Sequence, residues 1–195
     1  MYAPDLKGFG ENPNMPYPYC LDDYIADVKE YIYKHGLTCP HVIAHSFGAR
    51  IAVKAASSDS GLFGKLVLTG AAGLKPKTTF KKAVKKAAYN ALKRFLPKEK
   101  LKRFFSSDYN ALSPVMRESF IKIVNEHLDD RLCDIKNPTL LAFGKNDAET
   151  PLYMAKKLNA GIAGSRLIVL EDAGHFCFID KPNKFNMEVK EFLLS

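Results

Sequence analysis

Residues 42–50, Val42-Ile43-Ala44-His45-Ser46-Phe47-Gly48-Ala49-Arg50, run from a β-branched pair to a serine with a small residue two positions to either side. The apolar stretch before the serine reads as a buried strand. The alanine-rich run from Phe47 to Ser57 reads as a helix. Where a strand turns into a helix at one serine, side chains two before and two after it would collide, which predicts Ala44 and Gly48. Such a turn lifts the hydroxyl clear of the carboxyl edge of a sheet. The helix N-terminus beneath it favours developing negative charge. A serine hydroxyl is a weak nucleophile on its own, so the reading requires a histidine base and a carboxylate to orient it.

Outward from this stretch, strand and helix patterns alternate. Leu21, Tyr24, Ile25, Val28 and Ile32 share a helical face over residues 21–35, with Gly36 as a stop. The runs "KLVLTG", "PTLLAFG" and "RLIVL" are short, apolar strands, and a helix is expected from Thr150-Pro151, with the proline at its first position. Another helix closes the chain from Asn183 to Leu194. This alternation predicts an α/β fold: a mostly parallel sheet with flanking helices. Residues 74–134 carry no strand signal and form an all-helical insertion, so 1–73 and 135–195 make the core. Inside the insertion, Phe80, Val84, Ala88, Ala91 and Phe95 mark an amphipathic helix, and 115–128 reads as a second.

The expected chain order for a serine nucleophile on a parallel sheet is Ser, Asp, His. Asp147 follows the "PTLLAFG" strand and His175 follows "RLIVL", each in a loop at a strand's carboxyl end. Open α/β sheets bind ligands at that edge. Asp147 could instead cap the helix near Pro151, and Asp172 is its nearest competitor within the histidine loop. Ala173-Gly174 predicts a tight, exposed loop around His175. His41 and His45 stand four residues apart, which on a strand is ~13 Å and too far to share a metal. His45 is expected to pack under the turn, and Cys177 to fill core space.

Composition excludes several classes. With 195 residues the chain fits one domain plus an insertion. No run approaches the roughly eighteen apolar residues of a membrane span, and "MYAPDLKGFG" lacks the features of a signal peptide. Four scattered cysteines without a Cys-x-x-Cys pair argue against zinc and for reduced thiols, hence a cytoplasmic location. Of the +8 net charge, residues 75–103 hold +11 and the remainder −3. That basic face is ordinarily solvated. It also allows weak contact with an acidic surface, whereas nucleic acid is not expected without a recognition motif.

These motifs together resemble the α/β-hydrolase fold family, in its esterase-like branch with a helical cap. "YAPDLKGFGENP" is similar to the loop after that family's fourth strand, "AHSFGAR" to its nucleophile turn, "LLAFGKNDAETP" to its acid loop and "LEDAGHFCFIDKP" to its histidine loop. The resemblance implies Ser46 as nucleophile, His175 as base and then acid, and Asp147 as orienting carboxylate. It implies the Phe47 backbone N–H as an oxyanion donor, and 74–134 as the cap. The implied activity is hydrolysis of a small ester-like acyl substrate with no cofactor and no metal. It leaves oligomeric state open.

The front of the family pattern, strands one to three, has no counterpart here. The "VIA" strand is therefore expected to have a bare edge or to pair with Tyr2–Asp5. The family's second oxyanion N–H, from a His-Gly loop, is also expected to be missing, at a typical cost of ~10²–10³ in rate. Two rivals follow: a catalytically impaired remnant, and a basic-surface binding protein.

Overall fold

The structure, a computed structural model, describes residues 1–77 and 112–195. The expected amphipathic helix around Phe80–Phe95 and most of the basic face fall outside the described residues. Four strands form one parallel sheet in the order β1 (Val42–His45), β2 (Leu66–Thr69), β3 (Thr139–Gly144), β4 (Arg166–Leu170). Helix α1 (Leu21–Lys34) leads into β1, and α2 (Ser46–Ser58) connects β1 to β2. Next come α3 (Pro114–Asn125), a 3₁₀ turn at Asp129–Asp134, and α4 (Leu152–Gly161) between β3 and β4. A short α5 (Cys177–Asp180) and a closing α6 (Pro182–Leu194) complete the chain.

Alternation along the central strands sends side chains into two cores. Leu66, Leu68, Leu141 and Phe143 pack with α1, α2 and α4 on one face. Val67, Leu140 and Ala142 meet Phe185 and Val189 of α6 on the other. A parallel sheet covered on both faces explains why β2 and β3 read as unbroken apolar runs. On α1, Leu21, Tyr24 and Ile25 are buried and Val28 and Ile32 pack against the same core. Gly36, at φ +60°, takes the left-handed conformation that ends the helix.

One local expectation needs correction, and one choice left open is decided. Pro151 precedes α4 as its N-cap, with extended ψ, rather than occupying its first position. Of the two arrangements expected for β1, the bare edge is the one present. Tyr2–Asp5 form no strand, β1 pairs with β2 alone among the described residues, and Ile43 is 55% exposed there.

The helix expected at 115–128 is present as α3, shorter at its C-terminal end. Ser113 caps it by accepting from Met116 N, and Pro114 begins it. The chain returns to the core through Leu128, whose N–H donates to Gly73 O at 2.9 Å.

Candidate active site

Ser46 begins α2 with no connecting residue after β1, and its φ of +48° lies in the left-handed region that non-glycine residues avoid. The peptide must reverse within one residue, and the strain falls on the serine. The turn is tied to the loop after β2 by Ala72 N donating to Ser46 O at 3.3 Å. The expected steric collision is milder than the sequence implied: a Cβ on Gly48 would sit 4.0 Å from Ala44 Cβ, an ordinary contact. The first turn of α2 contains no acidic residue, so its free N–H groups carry uncompensated positive character beside Ser46 and Phe47. Phe47 is itself held by aromatic contacts, its ring centroid 5.1 Å from Tyr24 and 5.8 Å from Phe9.

Asp147 lies in the turn after β3 with its side chain fully buried. Its Oδ1 accepts from Glu149 N and Thr150 N, each at 2.8 Å. Its Oδ2 accepts from Thr150 Oγ1 at 2.7 Å and faces His175 Nδ1 at 2.8 Å. Asp147 therefore does not cap α4, whose N-cap is Pro151; its Oδ1 closes the turn before that helix while its Oδ2 faces His175. Burial alone would raise its pKa, but the hydrogen bonds from His175 and Thr150 outweigh burial and leave the carboxyl below its ordinary value.

The histidine loop is built against this turn. Lys145 N donates to Leu170 O and Asn146 N to Ala173 O, both at 2.9 Å, while Gly174 N donates to Asp180 Oδ2 at 2.8 Å. A side chain on Gly144 would come within 2.1 Å of Gly174 O, so only glycine lets β3 pass this close. The loop is tight and exposed at Asp172 and Phe176 as expected, while the His175 side chain itself is only 7% exposed. Asp172, the competing acid, points outward, 3.6 Å from Lys181 Nζ. Cys177 packs beneath with burial pushing its thiol pKa up to about 11, which makes it an inert core residue.

His175 and Asp147 pair at the carboxyl edge of the sheet, His175 lying against Gly70 just after β2, and Ser46 emerges from β1 at the same edge. A Cβ at Gly70 would be 3.0 Å from two His175 ring atoms and 3.1 Å from His45 Cε1. The His175 and Asp147 side chains are bonded to each other. Ser46 Oγ makes no hydrogen bond among the described residues, and His175 Nε2 instead lies 3.4 Å from Glu149 Oε2. Catalytic hydrogen bonds are commonly loose before substrate arrives.

Three neighbours were not singled out from the sequence for a role here. Thr150, read only as a helix start, donates to the carboxylate and sits 3.3 Å from His175 Nδ1. An Asp followed three residues later by Thr before a proline was the available signal. Glu149 carried none. His45 packs beside His175, ring centroids 4.6 Å apart, with Nδ1 2.8 Å from Thr69 Oγ1 across the β1–β2 pair. Burial and the adjacent His175 hold the His45 pKa below its usual value, so it serves as an uncharged wall. His41 lies at the start of the same strand, accepting from Lys65 N at 2.9 Å.

Beside Ser46 is a cavity of about 380 Å³. Its walls include Phe47 and Tyr24 from the core and Met116, Phe120 and Ile123 from α3, so α3 supplies one side.

Parallel strands between two helical layers, with a strained strand-to-helix turn at the carboxyl edge, define an α/β-hydrolase fold. The chain belongs to the Alpha/beta hydrolase family, whose model matches residues 1–188. It is 27% identical over 216 residues to the AB hydrolase superfamily protein YisY of Bacillus subtilis (strain 168), covering 96% of this chain and 79% of that protein. It is 30% identical over 186 residues to 2-hydroxy-6-oxononadienedioate/2-hydroxy-6-oxononatrienedioate hydrolase 2 of Pseudomonas putida, covering 81% of this chain and 64% of that protein. Among solved structures, an esterase (EaEST) from Exiguobacterium antarcticum aligns with TM-score 0.77 and 26% identity over 98% of this chain and 80% of its own.

Proposed function

We propose that the chain is a serine hydrolase acting on an ester-like acyl substrate. Ser46 Oγ attacks the carbonyl carbon while His175 takes its proton, and the Phe47 N–H stabilises the oxyanion. Collapse expels the alcohol with the proton from His175, leaving an acyl-enzyme, and water activated by His175 then releases the acid. Asp147 holds the imidazole and stabilises its protonated form. The part of 74–134 that includes α3 acts as a cap that selects the acyl group.

The observation that carries this reading is the 2.8 Å contact between His175 Nδ1 and the buried Asp147 carboxylate, at the edge where Ser46 stands strained beside an apolar cavity. The kinship to hydrolases, an esterase among them, supports it. A fluorophosphonate probe tests it directly: labelling of the wild-type chain, lost in Ser46→Ala together with hydrolysis of 4-nitrophenyl butyrate, is the expected result. Hydrolysis retained by the variant would remove Ser46 from the mechanism. A folded wild-type chain that neither labels nor turns over would favour the impaired remnant.

A further inference from the structure

Arg50 is the one charged side chain among the described residues lining the cavity. It leaves α2 one turn after Ser46, with about 6 Å between Cβ atoms at such spacing, and is only 8% exposed. Its Nη1 donates to Ile123 O and, at 3.3 Å, to Glu126 O, at the C-terminal end of α3. Nε and Nη2 make no hydrogen bond among the described residues, and Arg50 lines the cavity.

The charges around it do not balance. Lys54, one turn further along α2, takes both nearby carboxylates, Asp22 at 2.7 Å and Glu126 at 2.6 Å. Among the described residues that leaves Arg50 bonded to carbonyl dipoles, with no carboxylate at ion-pair distance and the Glu126 charge acting on it only through space. A guanidinium left in an apolar cavity with idle donors is costly, and a planar two-oxygen anion relieves both its charge and its donors.

We infer that Arg50 forms a carboxylate-binding site in the cavity, and that the acyl group presented to Ser46 bears a terminal carboxylate, as in a monoester of a dicarboxylic acid. The inference rests on the acyl-transfer reading of Ser46. Burial lowers the pKa of Arg50, and the nearby Glu126 charge offsets this only in part. Water exclusion, which penalises the lone guanidinium, strengthens its pair with a carboxylate.

The test compares mono-4-nitrophenyl glutarate with 4-nitrophenyl pentanoate, in which a methyl group replaces the carboxylate. Wild type is expected to favour the glutarate ester in kcat/KM by about tenfold or more. Arg50→Met should abolish that ratio and Arg50→Lys should retain part of it. The ratio is read rather than the rate, because Arg50 also grips α3. A wild-type ratio at or below one, or a ratio unchanged in Arg50→Met, overturns the inference. If neither ester is hydrolysed and no probe labels Ser46, the acyl-transfer reading has failed instead. The carboxylate site is then judged by calorimetric titration of glutarate. Binding to wild type that disappears in Arg50→Met supports the site, and no binding to wild type overturns it.

Discussion

At the scale of single residues, the site depends on how Asp147 is held. Thr150 is buried, and its hydroxyl donates to the same oxygen that faces His175. Thr150→Val removes that donor without changing shape. Hydrogen bonds to charged groups are worth about 1.5–3 kcal/mol, so a comparable loss of stability is expected by denaturant titration. A fall in kcat with little change in KM for a 4-nitrophenyl ester should accompany it if Asp147 orients the base. Acid sensitivity follows from the lowered Asp147 pKa. A carboxylate with a depressed folded-state pKa stabilises the fold above its unfolded value of 3.8 and loses that contribution as pH falls through the lower folded value. The stability gap between wild type and Asp147→Asn should therefore be full at pH 7 and should close below the unfolded value. A gap of constant size down to pH 2 would contradict the assignment.

At the scale of elements, two glycines that look alike in the sequence have opposite roles. Gly48 sits in the first turn of α2 with ordinary contact distance to Ala44, so alanine fits there. Gly48→Ala should leave the melting temperature unchanged or raise stability by about 0.5–1 kcal/mol, as a helix gains when glycine is replaced. Gly144 ends β3 where a Cβ would overlap Gly174 O at 2.1 Å and Ala173 O at 2.4 Å. Gly144→Ala must push the histidine loop away from the acid loop. It should cost more than about 2 kcal/mol and reduce ester hydrolysis in the folded fraction. Equal melting temperatures for the two variants would show that the β3–loop approach is looser than described. The same element-level reasoning applies to α3, whose Ser119 Oγ accepts from Tyr19 N at 2.8 Å and whose Lys122 Nζ donates to Pro18 O at 2.9 Å. The cavity wall is thus tied to the N-terminal segment as well as to α2.

For the molecule as a whole, the sheet is covered on both faces but not at β1. Ile43 is a large exposed aliphatic on a strand with an unpaired side among the described residues. Natural edge strands carry charges or bulges that block pairing with another chain, and this one carries an isoleucine. Ile43→Lys is expected to lower concentration-dependent light scattering without shifting the melting temperature. Scattering as high as wild type would mean that self-association arises elsewhere. Across the described residues, no helix is long and apolar enough to cross a membrane.

Element type was legible because it depends on near neighbours. Helical spacing marked α1, β-branched runs marked the strands, and Ala44-x-Ser46-x-Gly48 marked a turn whose strain the backbone displays at φ +48°. The order of Ser46, Asp147 and His175 along alternating strands placed them on one edge before any coordinates, since parallel strands carry all their outgoing loops to the same side. What depended on contact between distant loops was not legible. The His175 side chain proved buried within a loop exposed at Asp172 and Phe176, because that loop packs on Asn146 and Gly144. Thr150 joined the site only once its turn folded back on Asp147, and Asp22 and Glu126 pair with Lys54 while Arg50, among the described residues, bonds only carbonyls. Sequence alone determined which segments form the sheet and which edge gathers Ser46, Asp147 and His175, through sterics and periodicity that act within a few residues. Only the tertiary structure decided which charges are paired and which side chains are sealed, because those outcomes follow from packing between segments that sequence distance does not encode.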